Sequence, residues 1–271
     1  MKYINCMENI NSMANDMTLQ CFPQECPHPT KTINAGKESI ARKQSLFNDA
    51  CQIVKPHTIL EIGSWMGASA IAWKDASKKH KPDCKVYCID TWLGSPEHYL
   101  SSAGNEWDIG KLSITEKGPQ FFEDFLVNIH EAGYQKDILP MRADSHSALT
   151  YLQKLGAKFD IIYIDGAHDE IAVFRDTSLA HQLLKDGGLI CGDDFGWESV
   201  RTGLLLAAYD RATTKLSVFR KGGDFIIIPN SDKRLANAIM QLGYLKWQPL
   251  SQLHKLIRFA GKKLLYAIGK V

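Results

Sequence analysis

Four residues in two short stretches carry the chemistry this chain could do. "FDIIYIDGAH" places Asp165 three positions before His168, and "GGLICGDDF" ends on the adjacent pair Asp193 and Asp194. Each stretch reads as an apolar run ending in acid, Phe159 to Ile164 in one and Leu189 to Cys191 in the other. A parallel strand covered on both faces is apolar almost throughout. Its C-terminal tip is where open α/β sheets place their ligands. Three carboxylates gathered at such tips repel one another unless a positive charge joins them. A divalent cation on Asp165, Asp193 and Asp194 supplies that charge, and all-oxygen ligation favours Mg²⁺ or a similar hard ion over zinc. An imidazole can exchange a proton near neutral pH, which makes His168 the candidate proton acceptor, with Asp169 and Glu170 beside it. The bland alternative is that these aspartates cap the helices that follow them.

Three other loops have the types to hold a nucleotide-like ligand. In "LEIGSWMGASA", Gly63 lets the chain turn tightly out of a strand, and Gly67 permits close approach at a helix start where N–H groups point outward. This is not the dinucleotide fingerprint GxGxxG. Asp90 ends the next strand in "YCIDTW", the place where a ribose diol is held in folds of this type. Trp92 beside it could cover an adenine or fill the domain edge. Asp144, in "MRADSHSAL", could accept from an adenine amino group or cap the helix, as could Ser145. Trp107 and Trp197 are candidates for an acceptor pocket, whereas Trp73 falls in an amphipathic helix and reads as core. His98, His130, His146 and His181 lack such company and read as structural or solvated.

These tips need a sheet to position them. Helical periodicity runs through "SIARKQSLFNDACQIV" until Pro56. Then come strand "HTILEIG", helix "ASAIAWKDASKK", strand "KVYCID", helix "PQFFEDFLVNIHEAG", strand "DILPMRAD" and helix "SHSALTYLQKLG". The strand to Asp165 follows, a helix through "VFRDTSLAHQLLKDGG", the strand "LICGDD" and the helix "ESVRTGLLLAAYDRA". "LSVFRKGGDFIIIPN" reads as a hairpin turning at Gly222 and Gly223. Alternation of this kind predicts an α/β fold, a doubly wound, mostly parallel Rossmann-like sheet with helices on both faces and a terminal antiparallel hairpin. Residues 93–117 are long enough to be a lid or acceptor loop.

The 271 residues suffice for one large α/β domain with appendages or two small ones. We divide them into an irregular arm (1–36), the main domain (37–230) and a basic, amphipathic, helical extension (231–271). A hydrophobic content of 45% with 23% charged residues is that of an ordinary globular chain. The net charge of +2 gives no global attraction to nucleic acid, so no nucleic-acid partner is expected. No secretory leader or membrane span is visible, and a reducing cytoplasm is the default compartment. Cys88 and Cys191 read as small core residues. Cys21, Cys26 and His28 suggest a metal knuckle but lack a fourth ligand. The basic tail suits packing on the core or on another copy of the chain, or peripheral contact with a membrane surface.

Taken together, "EIGSWMGAS", "VYCIDTW", "RADSHSA", "YIDGAH" and "GGLICGDDFGW" resemble class I S-adenosylmethionine-dependent methyltransferases. More narrowly, the chain is similar to the metal-dependent sugar O-methyltransferase branch that includes the macrocin and mycinamicin enzymes, with catechol O-methyltransferase a more distant likeness. The resemblance spans about residues 38–230. It implies a cofactor, S-adenosylmethionine, whose methionine part lies on the loop of Glu61, Gly63, Ser64 and Gly67, with Ser69 just beyond. It implies a ribose held by Asp90 near Trp92, and an adenine near Asp144 and Ser145. It implies Mg²⁺ on Asp165, Asp193 and Asp194, with Asp165 also facing the cofactor and sharing catalysis with His168, the general base. Ser64, Trp65 and Met66 stand where many methyltransferases carry a third glycine.

The reaction so implied moves a methyl group from a sulfonium to a hydroxyl of a sugar-containing small molecule or glycan. A cation on that oxygen lowers its pKa and fixes it in line. The rival readings are a nicotinamide-dependent Rossmann oxidoreductase, a non-catalytic cofactor-binding subunit and a hydroxylase-like relative on the same scaffold.

Overall fold

The computed structural model describes residues 22–30, 44–95, 99, 114–116, 118–209 and 215–247. The arm outside 22–30, Trp107 and most of the expected lid, and the amphipathic helix expected from about residue 251 lie outside the described residues.

In chain order the elements are α1 (Gln44–Val54), β1 (Thr58–Ile62), α2 (Ala68–Ser77) and β2 (Lys85–Asp90). A two-stranded ribbon, β3 (Ile114–Thr115) and β4 (Gly118–Pro119), precedes α3 (Phe121–Glu131). Then follow β5 (Ile138–Arg142), α4 (Ser145–Lys154), β6 (Phe159–Ile164), α5 (Glu170–Leu183), β7 (Leu184–Gly192) and α6 (Glu198–Tyr209). The chain closes with β8 (Leu216–Lys221), β9 (Asp224–Pro229), α7 (Lys233–Gln241) and β10 (Leu245–Lys246).

Eight strands form one sheet in the order β10-β8-β9-β7-β6-β1-β2-β5. β5, β2, β1, β6 and β7 pair in parallel, and β9 lies antiparallel to both β7 and β8. The mostly parallel sheet with a terminal hairpin is therefore as expected. The order reverses between β1 and β6: the chain builds outward to β2 and β5, then returns to the other side of β1. That reversal opens a crevice at the strands' carboxyl ends, and it fixes where a ligand can sit.

The strand alternation sorts side chains between two cores. Ile59, Ile161 and Tyr163 face α1, α2, α3 and α7, where Trp73 packs on Phe47 and Tyr163, in the core as expected. Leu60, Ile62, Ile162 and Ile164 face α4, α5 and α6. Cys88 and Cys191 are buried thiols of the first core.

Two boundaries differ from the sequence reading. The helix expected to run through Gly188 stops at Leu183, and β7 already begins at Leu184. The pairing of β6 with β7 shifts between Phe159 and Ile161, so the Lys185–Gly188 stretch is an irregularity within the strand, not a helix end. A Cβ on Gly188 would lie 2.5 Å from the Asp160 carbonyl oxygen, so that close crossing needs glycine. Further on, α7 and β10 belong to the body of the domain: Leu235 and Ile239 enter the first core, and β10 pairs with β8. Of the two residues considered as caps of α4, Asp144 serves, accepting from the Ser147 N–H at 2.9 Å.

The described part of the arm clasps the sheet edge. Phe22 packs on Tyr87, while Cys26 enters the opposite core and its N–H donates to the Gln135 carbonyl. Burial pushes the Cys26 thiol up to about 12, which disfavours the thiolate that a metal knuckle requires.

Lys74 is a buried cation that the sequence pattern did not reveal. Its Nζ donates to the carbonyls of Pro82 and Cys84, both at 2.8 Å, and lies 3.1 Å from Asp137. Lys74→Met keeps the packing but leaves two carbonyls without their donor. We expect a loss of about 2–4 kcal/mol in urea denaturation; a change within experimental error would contradict this role.

Candidate functional site

The crevice between β1 and β6 is closed by backbone contact. Gly63 leaves β1 with φ 85 and donates its N–H to Ile89 O at 2.9 Å. A Cβ there would stand 2.1 Å from the Asp165 carbonyl oxygen. Gly67 then opens α2 with φ 87 and no side-chain cap, so no capping side chain occupies the first N–H groups of the helix. Asn128 on α3 steadies the loop by donating to Met66 O at 2.8 Å.

Asp90 has a task that the sequence did not announce. Its Oδ2 accepts from the N–H groups of Ser64 (2.9 Å) and Trp65 (2.8 Å), and its Oδ1 from that of Trp92 (2.7 Å). A carboxylate offers about four lone-pair positions, so three are committed to shaping the loop. Of the two places considered for Trp92, over an adenine or filling the domain edge, its burial favours packing. It is fully buried, its ring packs on Phe122 and Phe125, and its indole N–H donates to Trp65 O at 2.6 Å. A ring committed on its faces and at its polar edge stays in the core.

Glu61 is 0% exposed at the end of β1, beside Cys88, whose Sγ lies 3.5 Å from Oε2. Burial pushes its carboxyl up to about 7, with the Ser64 and Ser69 hydroxyls opposing the rise. Because the folded value exceeds the ordinary 4.5, this group's contribution to stability is full below about pH 4.5 and is lost as pH rises through 7. We expect the stability difference between wild type and Glu61→Gln to shift toward the variant by up to about 3 kcal/mol across that window. Denaturation at a series of pH values measures it, and a pH-independent difference would refute the assignment.

On the other side of the crevice, Tyr163 is buried and donates its hydroxyl to Asp165 Oδ2 at 2.9 Å, which orients that carboxylate. His168 Nε2 lies 3.0 Å from Asp194 Oδ2. Asp165, His168 and Asp194 each offer a donor atom, all within 4.8 Å of one another, and all three are half-buried. The expected trio was Asp165, Asp193 and Asp194. Asp194 adopts φ 57, and its carboxylate meets His168. Asp193 borders a small cavity that Asp165 and His168 also line, and its Oδ1 would lie 3.5 Å from a Cβ on Gly223 of the hairpin. The donor set of two carboxylates and an imidazole fits a divalent cation.

Surrounding residues hold this arrangement. Asp169 commits Oδ1 to the N–H groups of Ile171 (3.1 Å) and Ala172 (3.0 Å), so it caps α5. Trp197 is 47% exposed, with its ring 4.8 Å from that of His168, and so lines the approach to the centre. Arg201 braces the loop beneath it by donating to Phe195 O at 2.9 Å and to Gly196 O.

Asp144 lies on the crevice's far edge, where its Ser147 bond holds its carboxyl below the usual range. His130 Nε2 is 3.3 Å from Cys26 O, a structural position, and burial lowers the His181 pKa. Two buried acids were missed, Asp124 on α3 and Asp176 on α5. Asp176 is 2% exposed, and its Oδ2 lies 3.6 Å from where a Gly166 Cβ would be. Burial raises its carboxyl to about 6. The available signal was its place at i+3 from Val173, on the buried face of α5.

Residues 60–195 match the profile of a family described as a methyltransferase domain. No curated protein matches the sequence. Among solved structures, the chain is similar to CalS11, a calicheamicin methyltransferase, with 11% identity and a TM-score of 0.50 over 70% of this chain and 79% of that one. It is also similar to the Bacillus cereus O-methyltransferase solved with SAH, with 17% identity and a TM-score of 0.47 over 81% and 88% of the two chains. TomG from Streptomyces achromogenes, an O-methyltransferase of tomaymycin synthesis solved with SAM, matches with 17% identity and a TM-score of 0.48 over 73% and 89%. The likeness to the calicheamicin enzyme is one of fold.

Proposed function

The chain belongs to the methyltransferase-domain family, and from that premise we propose that it transfers the methyl group of S-adenosylmethionine to a hydroxyl oxygen with the help of a divalent cation. The observation that carries this reading is convergence: two carboxylates and an imidazole from separate strand tips meet beside the glycine loop. Family membership sets aside the oxidoreductase alternative.

In this reading the loop from Glu61 to Gly67, with Ser69, holds the methionine part of the donor. Asp90 offers its remaining lone pair to a ribose hydroxyl while fastening the loop. Asp144 and Ser145 border the adenine. Asp165 and Asp194 would hold the cation, which supplies a lowered pKa to a hydroxyl that is otherwise a poor nucleophile. Mg²⁺ is the hard ion that carboxylates suit. His168 and Trp197 face the acceptor side, and the exposed aromatic face suits a sugar ring of a small molecule or glycan. Among the described residues no helix is long and apolar enough to cross a membrane.

A labelled-methyl assay against a panel of glycans and sugar-bearing small molecules tests the proposal. Turnover that stops with EDTA and returns with added Mg²⁺ is the expected result. Turnover indifferent to EDTA would remove the cation from the mechanism, and no binding of S-adenosylmethionine would remove the donor.

A further inference from the structure

We propose that His168 is itself a metal ligand, taking the third position expected of Asp193, and that the centre therefore accepts first-row divalent ions more readily, relative to Mg²⁺, than three carboxylates would. This rests on the cation-assisted reading above and refines it.

Three observations support it. First, the three donor atoms within 4.8 Å of one another come from Asp165, His168 and Asp194. Second, two donors bound at a right angle about 2.1 Å from one ion stand about 3.0 Å apart. His168 Nε2 and Asp194 Oδ2 are separated by 3.0 Å. Third, two of the three side chains, His168 and Asp165, are held in place by neighbours. The Trp197 ring lies against the imidazole, and the Tyr163 hydroxyl anchors the Asp165 carboxylate through Oδ2. Asp193 borders the same cavity but is not among the three donors within 4.8 Å, and its Oδ1 would lie 3.5 Å from a Cβ on Gly223.

The chemistry of that donor set differs from three carboxylates. Imidazole nitrogen binds the later first-row divalent ions well and Mg²⁺ poorly, whereas carboxylate serves both. One nitrogen with two carboxylates thus shifts selectivity away from Mg²⁺ while leaving open positions for an acceptor oxygen. With Nε2 committed to an ion, His168 would hold that cation and not take the proton, which the acceptor hydroxyl would lose to solvent water.

Mn²⁺ binding to the full chain, followed by electron paramagnetic resonance without donor or acceptor, tests this directly. Pulsed spectra of the bound ion are expected to show nitrogen modulation in wild type and none in His168→Gln. The same variant is expected to bind Mn²⁺ about tenfold or more weakly, with Mg²⁺ affinity changed much less. Bound Mn²⁺ without nitrogen coupling in wild type would overturn the ligand assignment and leave the cation-assisted reading standing. Unchanged Mn²⁺ affinity in His168→Gln, with its thermal melt intact, would do the same. Failure of wild type to bind either ion would overturn both.

Discussion

Asp165→Asn is expected to lower methyl transfer by about 10²–10³-fold and divalent-ion affinity by about 10–100-fold. S-Adenosylmethionine binding should fall far less, and the fold should be kept. The side chain changes by one atom in shape, but it loses the charge that a bound cation would meet. Its place in the molecule makes the effect large. Asp165 sits at the reversal of strand order, oriented by the buried Tyr163 hydroxyl at 2.9 Å, among the donors that converge within 4.8 Å. Ion titrations and a labelled-methyl assay on the same preparation measure the two losses together. A variant that keeps full activity on a confirmed acceptor would place the centre elsewhere.

Gly63→Ala is expected to be the most damaging single-methyl change in the crevice. Two penalties fall on one position: a backbone at φ 85, and a Cβ 2.1 Å from the Asp165 carbonyl oxygen. The conformational part alone costs about 1–2 kcal/mol. The contact cannot be relieved by a side-chain rotation, because the obstructing atoms are backbone. β1 and β6 would have to separate, so we expect a total loss above about 3 kcal/mol together with loss of donor binding. Gly133 is the control. Its φ is 75, but a Cβ there meets nothing within 4 Å, so Gly133→Ala should cost only about 1–2 kcal/mol. Denaturation of the two variants side by side measures the contrast, and equal losses would show that the close approach at Gly63 is not what demands glycine.

Much of this architecture was written locally. The apolar runs to Asp165 and through Leu189–Cys191 announced buried parallel strands, and Gly222 with Gly223 announced the hairpin turn. Alternating elements sufficed for the sheet because each helix buries its face against strands adjacent in sequence. Side-chain direction at the tips was not legible. Asp193 and Asp194 are equivalent in composition, and the left-handed turn at Asp194 that goes with their different surroundings has no motif. The commitments of Asp90 and Trp92 were hidden for a related reason. Each depends on backbone groups of Ser64 and Trp65 about 26 residues away, and an acid at a strand tip looks the same whether it faces a ligand or an amide. Asp176 and Lys74 are polar groups within buried helix faces, where the apolar pattern averages over them. The shift within β7 followed from Gly188 passing close to Asp160, a tertiary contact that helical periodicity through "LAHQLLKD" could not register.

The claim on which the account depends is that methyl donor and cation meet in one crevice. Nuclear magnetic resonance of donor carrying a ¹³C-labelled S-methyl group, bound to the protein and titrated with Mn²⁺, tests this most directly. The ion is expected to broaden the bound methyl signal strongly in wild type and to leave it sharp in Asp165→Asn. A bound donor whose methyl signal stays sharp while Mn²⁺ occupies the wild-type protein would contradict it.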